Sequence, residues 1–163
     1  MPANAQDNPG AGFRLDDFLP YKLAVVTDSA SRVLAGNCLD AFNLTIPEWR
    51  ILVVVSEHGT LSPTIVSSHT AMDKVKVSRA AQSLVAKGLL RQGQDPSDGR
   101  GRLLKLTRKG ATTHAAVLPL TAKLESDLFD GLSRADLAML NRVLGKIATR
   151  LEMIESGAEA GGA

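Results

Sequence analysis

Cysteine is all but missing: Cys38 stands alone in 163 residues. A single thiol excludes an intrachain disulfide framework and makes a reducing compartment the simplest setting. Aromatic residues make up 4% of the chain, too few for the exposed platforms on which single-stranded nucleic acid stacks its bases, whereas a reader of duplexes stays open. No apolar run approaches the roughly 18 residues that suggest a membrane span. The start, Met1-Pro-Ala-Asn-Ala-Gln-Asp7, lacks a charged region followed by an apolar one, so a cytoplasmic protein with no membrane partner is expected. The three histidines, His58, His69 and His114, stand far apart in the sequence without metal-ligand spacing or clustered carboxylates. No Gly-rich phosphate loop precedes a helix, and Ser29, Ser31 and Ser83 have no nucleophile-elbow setting. Neither metal, cofactor nor catalysis is expected.

What is present is one domain of ordinary core content, 44% hydrophobic and 22% charged. The net charge of +2 hides a segregation: residues 71–110 hold ten Lys/Arg against three Asp, a local +7, and the remainder carries −5. Such concentration points to a polyanion. Within it, Asp73 to Gly88 has helical spacing, with Asp73 as N-cap, Val77, Ala81, Leu84 and Val85 as the core stripe, and Gly88 just past the end. The other face holds Lys74, Lys76, Ser78, Arg79, Gln82 and Ser83, the chemistry that contacts phosphates and base edges. Two short apolar runs, 89–94 and 102–106, then flank Asp95-Pro-Ser-Asp-Gly-Arg-Gly101, which predicts a hairpin with Arg100 and Arg102 near its tip.

In chain order, residues 1–12 read as a disordered tail. A first helix follows Asp16 and Asp17 as far as Asn37 or Leu39, with Leu23, Val26, Ala30, Val33 and Leu34 on one face. Thr45-Ile-Pro-Glu48 is a capping box for a second helix that ends before Gly59, with Leu52, Val53 and Val55 as core candidates. Ser62-Pro63 starts a short third helix to about His69, and its nearness to the fourth suggests helix-turn-helix. Thr107 caps a long fifth helix carrying Pro119. Ser133 starts a sixth, where Leu137, Leu140, Leu144, Ile147, Leu151 and Ile154 recur at steps of three and four. A seam this regular at a chain end implies packing against the first helix and against a second subunit. Residues 157–163 read as a loose tail.

With Asp98-Gly-Arg100 and Leu106-Thr-Arg-Lys-Gly110 around the hairpin, and Val77-Ser-Arg79, Leu84 and Lys87-Gly88-Leu89 in the fourth helix, the chain resembles the multiple antibiotic resistance regulator (MarR) family over residues 20–154. The resemblance implies a mainly α fold, a winged helix-turn-helix with long N- and C-terminal dimerisation helices and a small β-hairpin wing. Residues 13–156 would form a single regulator domain, with 13–44 and 108–156 for dimerisation and 45–107 as the DNA-binding lobe. It implies a homodimer that reads double-stranded DNA, two recognition helices in successive major grooves and a wing arginine in the minor groove. The DNA-binding residues would be Ser62, Thr64, Lys74, Lys76, Ser78, Arg79, Gln82, Asp98, Arg100 and Arg102, with Asp98 orienting Arg100. Gly99 stands where the family often has a second arginine, and Arg102 is placed to compensate.

Leu19-Pro-Tyr-Lys-Leu23, Ser31-Arg32 and Thr45-Ile-Pro-Glu-Trp-Arg50 resemble the branch that controls catabolism of aromatic acids such as hydroxycinnamates. That implies a repressor released by a small aromatic acid or its CoA thioester, held by Ser31, Arg32, Trp49, Arg50 and Leu118. The competing reading makes Trp49 core and both arginines structural ion pairs. Two other readings stay open. One is a thiol sensor at Cys38, although nothing basic flanks it in Gly36-Asn-Cys-Leu-Asp40. The other is a winged helix that binds protein.

Overall fold

The structure, a computed structural model, describes residues 13–94 and 101–160. The tail 1–12, Asp98 and Arg100 lie outside the described residues. The chain comprises two compact units, Met1–Leu124 and Glu125–Ala163. The first holds a 3-10 turn at Leu15–Asp17, α1 at Leu19–Leu34, a π turn at Ala35–Leu39 and a second 3-10 turn at Asp40–Phe42. It continues through α2 (Ile46–His58), α3 (Pro63–Thr70), α4 (Lys74–Ala86), β1 (Leu90–Gln94) and β2 (Arg102–Leu106) into α5 (Arg108–Leu128), whose residues 125–128 fall in the second unit. The second unit holds α6 at Arg134–Ala160.

Local chemistry explains most of these boundaries. The Thr45 hydroxyl accepts from the Glu48 backbone N–H, while the Thr45 N–H donates to Glu48 Oε2 (2.7 Å), closing a capping box at the head of α2. Gly59, at φ +80°, ends that helix in a conformation that favours glycine. Ser62 caps α3, Asp73 caps α4 through the Lys76 N–H (2.8 Å), and Ser133 caps α6 with Asp136 answering as the box partner. The first helix departs from expectation. Its α-helical part stops at Leu34 and the next five residues widen into a π turn, which places Cys38 and Leu39 in the core. The last helix also runs on, to Ala160, through residues read as a loose tail.

Every buried apolar side chain among the described residues falls between Cys38 and Val117. In α4 the buried stripe is Val77, Ala80, Ala81 and Leu84. Val85, expected in that stripe, is exposed, and Ala80 takes its place because a step of three from Val77 lies closer to the buried side than a step of eight. Val53, expected in the core of α2, is only half-buried, and Ile51 and Val54 are buried beside Leu52 and Val55. In α5 the buried side chain is Val117, whereas Leu118 is exposed.

The two strands pair antiparallel from Leu90↔Leu106 to Gln94↔Arg102. A bridge absent from the sequence reading ties this wing to the lobe: the Leu61 N–H donates to the Leu104 carbonyl (3.1 Å) and the Leu104 N–H donates back (2.8 Å). The stretch Leu106–Gly110 is a lock at the other end of the wing. Thr107 Oγ1 donates to the Gly88 carbonyl (2.7 Å) and accepts from the Gly110 N–H (3.0 Å), while the Thr107 N–H donates to Leu89 O (3.1 Å). Gly110 has no alternative there, since a Cβ on it would meet Leu89 O at 2.0 Å.

Candidate nucleic-acid interface

The fourth helix stands on a buried ionic tie. Glu48, 2% exposed, accepts from Lys87 Nζ at 2.7 and 2.8 Å, and the same ammonium donates to Asn43 O at 2.6 Å. Burial works to raise the Glu48 pKa, but hydrogen bonds from Lys87, Ser83 and Thr45 outweigh it and hold the carboxyl below its ordinary range. Lys109 Nζ in turn donates to Lys87 O at 2.8 Å. Two of the ten cations in the basic segment are therefore engaged within the chain, Lys87 with α2 and Lys109 with the end of α4. Ser83, read as part of the contact face, is half-buried and turned toward Glu48.

With its inner stripe anchored, α4 presents Lys74, Lys76, Ser78, Arg79 and Gln82 outward, all exposed. Gln82 Nε2 lies 3.5 Å from Ser78 Oγ, a weak contact that leaves both groups able to turn to a ligand. Ala71, at φ +51°, forms the sharp turn from α3, and Ser67 Oγ holds it by donating to the Met72 carbonyl. Thr64 is exposed on the first turn of α3, whereas the Ser62 hydroxyl is engaged as that helix's cap (3.3 Å to the Ile65 N–H). On the wing, Arg102 is exposed and donates to Gln92 Oε1 at 3.3 Å. By register Arg91 faces Lys105 across the strands, both exposed. Like charges directly opposed cost stability unless an anion lies between or beside them. Alternation along the strands puts that pair on the ribbon face opposite Arg102.

The residues read as an effector site divide. Trp49 and Arg50 line a cavity of about 210 Å³ together with Val53, Val54, His69 and Thr70. The Trp49 indole nitrogen is buried without a hydrogen-bond partner among the described residues. Ser31, Arg32 and Leu118 do not line this cavity. Arg32 instead donates to Ser29 Oγ at 2.9 Å on exposed α1. His69 and His58, apart in the sequence, come together at the ends of α2 and α3 with ring centroids 4.4 Å apart. Cys38 is buried, and burial pushes its thiol up, opposite to what a peroxide-reactive thiolate needs.

The seam residues of α6 are not buried within the chain. Leu137 is half-buried, and Leu140, Leu144, Ile147, Leu151 and Ile154 are exposed. No helix among the described residues is long and apolar enough to cross a membrane.

Over residues 42–101 the sequence matches the family described as MarR family. The chain is 30% identical to a MarR family transcriptional regulator from Silicibacter pomeroyi DSS of known crystal structure, covering 90% of this chain and 96% of that one with a TM-score of 0.71. It is 28% identical over 142 residues to the HTH-type transcriptional repressor IacR of Pseudomonas putida, covering 87% of this chain and 84% of the relative. A mutant of E. coli MarR in complex with operator DNA is 25% identical with a TM-score of 0.74, covering 79% of this chain and 92% of that one. A basic helix-turn-helix and wing held on one self-supporting core, and these relatives, lead to one conclusion: the chain belongs to the MarR family of DNA-binding transcription regulators and is not an enzyme.

Proposed function

We propose that this regulator is a homodimeric repressor whose two α4 helices enter successive major grooves of a pseudo-palindromic operator, and that a small aromatic acid, free or as its CoA thioester, releases it. The observation that carries the DNA reading is the partition of α4. Its inner stripe is sealed, and its outer one offers Lys74, Lys76, Ser78, Arg79 and Gln82. Thr64, on the first turn of α3, contacts backbone phosphate, and Ser62 does so through the helix start that it caps. Arg100, oriented by Asp98, enters the minor groove with Arg102 beside it, while Arg91 and Lys105 find in phosphate the anion their juxtaposition requires. The repressor IacR at 28% identity and the operator complex of E. coli MarR support this docking.

Dimerisation rests on the exposed seam of α6 and on α1, which has no buried residue and leaves Leu23, Val25, Val26 and Val33 exposed. A second copy covers these faces, since rows of exposed apolar residues along a helix mark an interface.

The effector reading rests on the cavity beside Trp49. An aromatic wall and the Arg50 cation suit an organic acid, with guanidinium to carboxylate as the strong contact. Its volume admits one ring and its carboxylate, so a thioester would insert only its acyl end. Tenfold release from DNA requires a differential affinity of about 1.4 kcal/mol, within the usual range of coupling. Calorimetry with benzoates, hydroxycinnamates and their CoA thioesters tests this, together with release of a bound duplex. Arg50→Ala is expected to abolish release while leaving DNA affinity nearly intact. No binding across the panel would make the effector class wrong.

A further inference from the structure

One side chain on the outer stripe of α4 is not suited to phosphate or to hydrogen-bonding base edges. Val75 sits on the first turn, two residues after the Asp73 cap, and is 59% exposed. Helical spacing puts it in one row with Ser78, Arg79 and Gln82, at steps of three, four and seven, on the side away from the buried Val77, Ala80, Ala81 and Leu84. A β-branched residue gains nothing in propensity at an exposed helix position, and Val75 does not belong to the core. Its surroundings are Lys74 and Lys76, which hold a polyanion close rather than an apolar protein surface.

We propose that Val75 is a specificity residue that reads the 5-methyl group of thymine in the major groove. This rests on the docking of α4 proposed above. The N-terminal residues of a recognition helix are the ones that reach base edges, which is where Val75 stands. Of the four bases, only thymine offers an apolar group on its major-groove edge, and small apolar side chains contact it. Hydrogen bonding by Arg79 and Gln82 and a methyl contact by Val75 then report on different base pairs along one helix.

The test removes the methyl group without touching the pairing. Duplexes enriched from a random pool by the wild-type protein supply the binding site, and each thymine is replaced in turn by deoxyuridine. At one thymine per half-site the wild type is expected to lose about fourfold in affinity, the factor set by burial of one methyl-sized group. Val75→Ala should bind the thymine and uracil duplexes equally at that position with the salt slope unchanged. Arg79→Ala should bind both more weakly and keep the difference between them. Val75 is exposed and outside the core, so the variant folds, and circular dichroism checks it. Equal wild-type affinity for every uracil duplex overturns the proposal, as does a Val75→Ala protein that keeps the fourfold difference. Unchanged DNA affinity in both Lys76→Ala and Arg79→Ala instead overturns the docking of α4 itself.

Discussion

Helices α4 and α6 are written in the same code, apolar residues at steps of three and four on an otherwise polar helix, yet their apolar stripes meet different fates. In α4 that stripe is no more than 7% exposed, whereas in α6 the residues from Leu140 to Ile154 in the seam are 37% to 54% exposed. The difference extends beyond these two helices. From Cys38 to Val117 the lobe closes its own core with helix caps, a bridged wing and a buried ion pair, while among the described residues α1 and α6 bury no side chain. An amphipathic pattern thus says that a face needs covering and is silent on whether the same chain covers it. The lobe closes its core within one copy, and the terminal helices leave their apolar faces exposed in that copy.

The sharpest way to break the self-sufficient side of this comparison is Gly110→Ala. Its Cβ would lie 2.0 Å from Leu89 O and 2.9 Å from Leu106 Cδ2, and the first obstacle is backbone that has no rotamer to escape into. A loss of more than about 4 kcal/mol in denaturant unfolding is expected, or failure of the lobe to fold. A variant within about 1 kcal/mol of wild type would show that the lock at Leu106–Gly110 is loose.

Leu144→Asp attacks the other side. Placing a carboxylate in the seam should weaken association by about 3–4 kcal/mol and leave the lobe folded, because Leu144 is exposed and outside the buried core. Sedimentation should then show a monomer with a near-native helical spectrum. A mutant that remains dimeric at micromolar concentration refutes the seam as the interface.

Lys87→Met tests what holds α4 to α2. It leaves Glu48 buried and uncompensated, and about 3 kcal/mol is expected, the low end for a broken buried pair because Lys87 is a quarter exposed. The pH dependence has a definite sign. Glu48 binds its proton less readily in the folded state, so its contribution is present above the ordinary carboxyl value and is lost as the pH falls through the depressed folded value. Wild-type stability should therefore fall steeply in that acidic window, and Glu48→Gln should flatten the slope in a titration of unfolding midpoints.

The smallest expected effects separate helix from wing. Arg79→Ala should cost about 1–3 kcal/mol of duplex affinity and relax sequence preference, whereas Arg102→Ala should lower the salt slope by about one with little change in preference. Arg102 is already shared with Gln92, which reduces what it can lose. Equal effects on both readouts, measured by fluorescence anisotropy across a salt series, would erase the distinction between groove reading and phosphate anchoring.

Much of the lobe was legible because its signals are local. Thr45 with Glu48, Ser62, Asp73, Gly59 and Ser133 act within a few residues, and the structure places the helix boundaries beside them. The outward residues of α4 were legible for the same reason. Less visible were contacts between partners distant in sequence: Glu48 with Lys87, Leu61 with Leu104, and Gly110 against Leu89. Val75 stands among the cations of α4, and its exposure follows from the packing of Val77, Ala80, Ala81 and Leu84 on the other side.

The sequence by itself therefore determined where the capped helices begin, where the hairpin lies, where the positive charge collects, and which faces are apolar. These follow from capping chemistry, turn residues and periodicity, all of which act over a few residues. Only the tertiary structure decided which cations tie one element to another, which of Ala80 and Val85 is buried, and that Trp49 and Arg50 share a cavity without Arg32. Those outcomes depend on which elements approach one another and on the space left between them, and close packing settles both across the whole fold rather than along the chain.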